Sequence, residues 1–206
     1  MPSAALTSWR NDRLVRLGLV EAHCSTLMPP AHVFSPGGVA PPPLPAPVPA
    51  ISPIARESLQ GLVMLLSGHF QGFCRDLYTE CAQICAATVP PGLFDTVLAQ
   101  FAAELKLDSM NPTVETIRRD FERFGFAFDF AGTDPANPPR ITHLGHLNYW
   151  RNAIAHQKAT SPSRHAPTPL TLANVQLWKA ACDGLAGSLD GILVVKLLPI
   201  LGVAPW

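Results

Sequence analysis

The sequence is poor in charge, and its charges cancel. Only 15% of the 206 residues are Asp, Glu, Lys or Arg, and the formal net charge is zero. This composition excludes a broad basic face for nonspecific binding along DNA or RNA, so a nucleic-acid function would need a local site. Hydrophobic residues make up 48%, which excludes a disordered polymer and allows one domain with a substantial core, alone or with an appendage.

Signals for export and for membrane insertion are also missing. Met1 is not followed by a basic stretch, an apolar segment and a cleavage site. The apolar stretch from Ile192 to Trp206 contains Lys196 and Pro199, and it is shorter than the ~20 residues of a spanning helix. We therefore predict a buried helix and tail in a cytoplasmic protein that does not enter a membrane.

The five cysteines form no CxxC pair. Cys74, Cys81 and Cys85 lie on one face of a predicted helix, but without the usual spacing of a metal-binding knuckle. We interpret them as small buried core residues, and we predict neither a metal nor a cofactor.

Sustained period-two alternation is absent, which argues against strands, whereas helical periodicity recurs along the chain. The helices predicted from it are Ala4–Cys24, Ile54–Val89, Leu93–Leu105, a helix from Asn111 as cap to Gly125, Ile141–Lys158 and Leu170–Leu198. Phe126–Arg140 and Ser161–Pro169 are predicted loops. We predict an all-α fold, an antiparallel bundle of four to six helices with a Pro-rich extended arm.

The arm is the clearest break in composition. Residues 28–53 contain ten prolines, which forbid a helix and favour an extended polyproline conformation. The predicted organisation is an N-terminal helix in residues 1–27, a Pro-rich linker or arm in 28–53 and a helical bundle in 54–206. The arm is interpreted as a connector or surface arm, with a docking ligand of the PxxP type as the alternative.

The stretch LGHLNYWRNAIAHQ, Leu144 to Gln157, combines an apolar helix face with a polar group. Arg151 falls near the centre of the apolar stripe, and Asn152 and His156 share its flank. An arginine there needs a partner, because burying its charge unpaired would cost several kcal/mol. The partner would be a carboxylate across the bundle, for which Asp76 and Glu80 are candidates, or an anion bound from outside.

Arginine and histidine together suit phosphoryl chemistry. A guanidinium matches phosphate oxygens, and an imidazole can accept and donate protons near neutral pH. RNA supplies its own nucleophile, the 2′-OH, so no metal is needed in principle. Because one copy of this site lacks a second acid or base, two copies across a twofold dimer axis would complete it. The bland alternative is a structural ion pair or cap.

Residues 151–156, Arg-Asn-Ala-Ile-Ala-His, resemble the signature of the HEPN superfamily. In that signature an Arg and a polar residue are followed, after a few residues, by a His. The runs His69–Leu77 and Ile117–Phe126 also resemble HEPN-type ribonucleases and the RiboL-PSP-HEPN-like group, and the resemblance covers about residues 54–198.

This resemblance implies a dimeric helical bundle with two signatures in one cleft. Many HEPN proteins are metal-independent endoribonucleases that leave a 2′,3′-cyclic phosphate and a 5′-OH, often as toxins of toxin–antitoxin pairs or in phage defence. Carried over, Arg151 would contact the scissile phosphate, Asn152 would orient the phosphate or the histidine, and His156 would transfer protons. The expected partners are RNA, a second copy of the chain and an antitoxin protein.

Two other functions remain open at this point. One is a catalytically silent HEPN-like module that binds a partner protein or a nucleotide through the same cleft. The other is a helical scaffold whose Pro-rich arm docks to another protein.

Overall fold

The protein is described by a computed structural model in residues 1–28, 52–157 and 168–206. Within these ranges the chain is all-α and contains no strand, as predicted. The elements are α1 (Ala4–Ser8), a π-helical turn (Trp9–Arg13), α2 (Leu14–Leu27), α3 (Pro53–Ala86), a 3-10 turn (Pro91–Leu93), α4 (Phe94–Ala102), α5 (Lys106–Ser109), α6 (Val114–Phe121), a 3-10 turn (Glu122–Phe124), α7 (Phe130–Thr133), α8 (Asn137–Ala155) and α9 (Leu172–Leu201). Nearly all of the predicted Pro-rich arm and most of the predicted loop Ser161–Pro169 lie outside the described residues.

The N-terminal helix is part of the core. Its π-helical turn places Trp9, which is fully buried, against Phe70 and Phe73 of α3, with ring centroids 5.8 and 5.7 Å away. Glu80 of α3 accepts the backbone N–H groups of Ala4 and Ala5 at 3.1 Å each, so it holds the start of α1. The sequence marks residues 1–27 as a separate piece, yet they pack into the same hydrophobic cluster as the bundle.

Helix α3 is the long central helix that the sequence predicts. The Ser52 hydroxyl caps it by accepting the N–H of Ala55 at 3.1 Å, and Pro53 occupies its first position. One stripe along the helix is buried, from Leu59 to Cys81. The helix ends at Ala86, a few residues before the predicted end at Val89.

The segment between α3 and α8 departs most from the prediction. The helix expected to reach Leu105 ends at Ala102, and Glu104 adopts a left-handed φ of 54° before α5 begins. Thr113, rather than the predicted Asn111, caps α6, because its hydroxyl accepts the N–H of Thr116 at 3.1 Å. Gly125, with a φ of 86°, ends the following turn as predicted.

Helix α8 begins inside the stretch predicted to be a loop. Pro138 and Pro139 lie in its first turn, where a missing N–H is no loss, so they permit a helix there. Arg140 then ties α8 to the preceding turn by donating to Asp134 at 2.6 Å, and it also donates to Asn137, the first residue of α8, at 3.0 Å.

Helix α9 packs against α8, α3 and the N-terminal helix. Its buried residues include Trp178, Leu185, Leu189 and Leu193, as expected of a core helix. Among the described residues, α9 is also the one helix whose length and mean hydropathy, 1.7, would allow it to cross a membrane. A soluble core helix passes the same test, so this property alone is weak support for a membrane location.

Candidate functional site

The three residues of the signature lie at the C-terminal end of α8. Leu144, Leu147 and Trp150 are buried and fix this end of the helix in the core, as the apolar stripe predicts. The indole N–H of Trp150 also donates to the backbone oxygen of Thr168 at 2.9 Å. The active-site candidates are therefore carried by a helix end with defined packing.

His156 directly follows Ala155, the last residue of α8, and is the C-cap of this helix. Its backbone N–H still donates to the carbonyl of Asn152 at 3.0 Å, which keeps both residues on one turn. Gln157 then adopts a left-handed φ of 55°. The predicted continuation of the helix to Lys158 is therefore wrong, because a left-handed residue breaks the helical hydrogen-bond pattern.

Arg151 and Asn152 are joined directly. An Arg151 Nη1–H donates to Asn152 Oδ1 at 3.2 Å. The same oxygen accepts the Nδ2–H of Asn111, from the loop between α5 and α6, at 2.8 Å. A guanidinium is only a donor, so the atom of Asn152 that faces it must be the oxygen, and Asn111 must then donate.

Asp76 and Glu80 have partners other than Arg151. Asp76 forms an ion pair with Arg13 of the N-terminal helix, and Glu80 caps α1. The hypothesis that one of them pairs with Arg151 is thus not met in the structure. Both carboxylates are drawn instead to the N-terminal helix, whose packing on α3 the sequence left open.

The charge of Arg151 has no carboxylate partner among the described residues. Three other arginines of this region do have partners within the protein: Arg118 pairs with Glu115, Arg123 donates to the carbonyls of Gln100 and Ala103, and Arg140 pairs with Asp134. Arg151 is half-buried, whereas Asn152 and His156 are exposed. The group therefore presents an arginine, an amide and an imidazole on an open surface that an anion can reach.

The loop that carries Asn111 is held on two sides. Gln71 of α3 donates through Nε2 to the carbonyls of Leu107 and Met110, at 2.5 and 3.0 Å. Asn148 of α8 donates to the carbonyl of Pro112 at 3.4 Å. No local pattern predicts these contacts, because they join residues 36 to 39 positions apart through tertiary packing.

Two further histidines of α8 lie outside this group. His143 and His146 approach each other with ring centroids 6.0 Å apart. Both Nδ1 atoms are buried without a hydrogen-bond partner among the described residues. The ring of His146 is half-buried, and its pKa is lowered by this burial and by the neighbouring His143.

Two of the three cysteines of α3 are buried in the core, as the sequence predicts. Cys74 and Cys81 are fully buried free thiols and Cys85 is half-buried. Burial raises the pKa of each of these thiols. Among the described residues, no three His, Cys, Asp or Glu side chains group so as to hold a metal ion.

Comparison with protein-family models, with curated proteins and with solved structures finds no match to this chain. The case for a function therefore depends on the residues and geometry of the site.

Proposed function

We propose that the protein is an endoribonuclease of the HEPN type that uses Arg151, Asn152 and His156. The observation that carries the proposal is the arrangement at the end of α8: a guanidinium without a carboxylate partner in the described residues, hydrogen-bonded to the amide of Asn152, at the same helix end as the exposed His156. Such a group has the donors to hold a phosphate and the imidazole to move a proton.

In the proposed reaction, the 2′-oxygen of RNA attacks the adjacent phosphorus and the P–O5′ bond breaks. His156 accepts the 2′-OH proton or donates a proton to the leaving 5′-oxygen. Arg151 stabilises the negative charge that builds up on the phosphate oxygens. The products are a 2′,3′-cyclic phosphate and a 5′-OH, and none of these steps calls for a metal.

A complete reaction needs both an acid and a base, and one copy of the group supplies one imidazole. We propose that a second copy of the chain supplies the other across a twofold axis. The exposure of Asn152 and His156 supports this arrangement, since a second subunit could reach both. In this proposal the enzyme acts in the cytoplasm as a toxin or a phage-defence effector, with an antitoxin protein as a further partner.

The decisive experiment compares the wild type with His156→Ala during induced expression and in purified form. We expect growth arrest and new 5′-OH RNA ends from the wild type only, unchanged by a chelator, with cleavage lowered roughly 10²- to 10⁴-fold in the variant. Sedimentation should show a dimer in both proteins. Equal cleavage by both proteins, or none by either, would contradict the proposal.

A silent binding module is the second candidate. It is favoured by the presence of one imidazole, that of His156, in each copy of the site, since holding a phosphate requires Arg151 but no acid–base pair. In that case the wild type would bind a nucleotide or a short RNA without cleaving it, and Arg151→Ala would abolish binding while His156→Ala would not.

A further inference from the structure

Asn111 has a side chain that is free to serve the site. The sequence predicts it to be the cap of α6, but Thr113 performs that role with its hydroxyl. The amide of Asn111 instead crosses to α8 and donates to Asn152 Oδ1 at 2.8 Å. Asn111, which the sequence predicts to cap α6, thus connects the α5–α6 loop to the site.

The acceptor of this hydrogen bond is shared. Asn152 Oδ1 receives Asn111 at 2.8 Å and Arg151 at 3.2 Å, and an amide oxygen has two lone pairs. Both are therefore occupied, one by the loop and one by the guanidinium. Without the first contact, the Asn152 side chain could rotate and lose the second.

The loop itself is anchored, so its amide comes from a fixed position. Gln71 of α3 donates hydrogen bonds to the carbonyls of Leu107 and Met110. Asn148 of α8 donates to the carbonyl of Pro112, and Pro112 is a buried residue. Asp108 in the preceding helix pairs with Arg75 at 2.7 Å. A donor held from two helices can restrain a mobile surface side chain.

We infer that Asn111 is a positioning residue, which orients Asn152 and through it the Arg151 guanidinium for a phosphate group. The inference rests on the proposed function for its catalytic consequence. The effect of Asn111 on phosphate binding by Arg151 can be measured without RNA cleavage. Preorganised donors bind and stabilise charge better than donors that must first be ordered.

The first measurement follows the Arg151 Nε–H signal by NMR during titration with inorganic phosphate. We expect saturable shifts in the wild type and about fivefold to tenfold weaker binding in Asn111→Ala, the size of effect of one neutral hydrogen bond. Asn111→Asp should bind phosphate more weakly still, because it cannot donate to Asn152 and adds a negative charge. Asn111→Gln, which keeps the donor, should recover part of the affinity.

The second measurement is the steady-state cleavage of a short RNA, with kcat and KM determined separately. We expect about fivefold to tenfold lower kcat/KM for Asn111→Ala in the wild type, and little further loss when the same change is made in the Asn152→Ala variant, because Asn111 acts only through Asn152. Asn174→Ala is the matched control. Its side chain makes a comparable exposed hydrogen bond to the carbonyl of Pro169 at the start of α9.

The outcomes separate the two proposals. Unchanged phosphate affinity and unchanged kcat/KM in Asn111→Ala, with an active wild type, would overturn the positioning role and leave the nuclease proposal standing. Weaker phosphate binding in Asn111→Ala without RNA cleavage by the wild type would keep the positioning role and overturn the nuclease. No phosphate binding at Arg151 in the wild type would overturn the positioning role. A lower Tm in Asn111→Ala with unchanged Arg151 signals would mean a merely structural contact.

Discussion

Trp9 lies edge-on to Phe70, with ring centroids 5.8 Å apart and an interplanar angle of 71°. The pair joins the N-terminal helix to the middle of α3, and both rings are fully buried. Trp9 also donates its indole N–H to Asp183 of α9 at 3.1 Å. One side chain thus connects three helices, so the first residues of the chain belong to the folded unit.

Trp9→Ala should therefore destabilise the whole protein. We expect the free energy of unfolding to fall by about 3–5 kcal/mol, because the change leaves a large cavity and removes one of the two hydrogen bonds to Asp183, the other being from Arg10. Urea unfolding followed by circular dichroism measures the effect. Leu19→Ala, at a position of α2 that is 69% exposed, should change stability by less than about 0.5 kcal/mol. Equal effects of the two changes would show that the N-terminal helix is not part of the core.

Arg151→Lys should separate charge from geometry at the site. Lysine keeps the charge but loses the planar fork that matches phosphate oxygens, so we expect cleavage to fall by roughly 10²-fold. The free energy of unfolding should change by less than about 0.5 kcal/mol, because among the described residues Arg151 makes one hydrogen bond, to the neighbouring Asn152. RNA cleavage and thermal unfolding are measured on the same samples. Full activity in the lysine variant would argue against direct contact with the phosphate.

Asp120 is expected to control the order of α5 and the loop after it. This buried carboxylate accepts the backbone N–H groups of Lys106 and Leu107, at 3.1 and 2.8 Å. Asp120→Ala leaves both donors unpaired, at a cost of about 1–3 kcal/mol. Hydrogen exchange should accelerate in residues 106–110 more than in α9. Uniform acceleration across the protein would mean that Asp120 supports the fold globally instead.

The interactions of Glu21 with Lys179 and Gln176 should make the folded protein less stable in acid. Burial acts to raise its pKa, but hydrogen bonds from Lys179 and Gln176 and the charge of Lys179 outweigh it, so the pKa is lowered. A carboxylate whose folded pKa lies below its unfolded value, about 4.3, stabilises the protein above that value. This contribution is lost as the pH falls through the folded pKa.

Glu21→Gln should accordingly cost up to about 1 kcal/mol at neutral pH and almost nothing in strong acid. Unfolding free energies measured by urea titration across this pH range test the prediction. Lys179→Met should give the same pH dependence, because it removes the other half of the ion pair. A difference between wild type and Glu21→Gln that stays constant with pH would contradict the assignment.

The predictions from periodicity succeeded where a helix buries one continuous apolar stripe. Helix α3 and helix α9 follow the sequence closely, and Leu144, Leu147 and Trp150 are buried as expected. The predictions failed where the backbone depends on local exceptions. Glu104 and Gln157 adopt left-handed backbone conformations, which are uncommon for Glu and Gln and so are not predicted from the sequence.

At the candidate site, the sequence suggested Arg151, Asn152 and His156 as functional residues and left the partner of the arginine open. The alternatives were a carboxylate of the neighbouring helix, Asp76 or Glu80, and an anion bound from outside. In the structure Asp76 pairs with Arg13, and Glu80 accepts a backbone N–H at the start of α1. It also adds Asn111, whose contact with Asn152 spans 41 residues and has no local signal.

The sequence by itself determined the all-α class, the apolar faces of the long helices and the candidate residues at the end of α8, because side-chain hydrophobicity and its spacing act locally. Tertiary structure decided which polar groups meet. It brought the N-terminal helix onto α3, directed Asp76 and Glu80 away from Arg151, and placed Asn111 against Asn152. Such contacts depend on the relative positions of whole helices, which follow from the packing of the entire core.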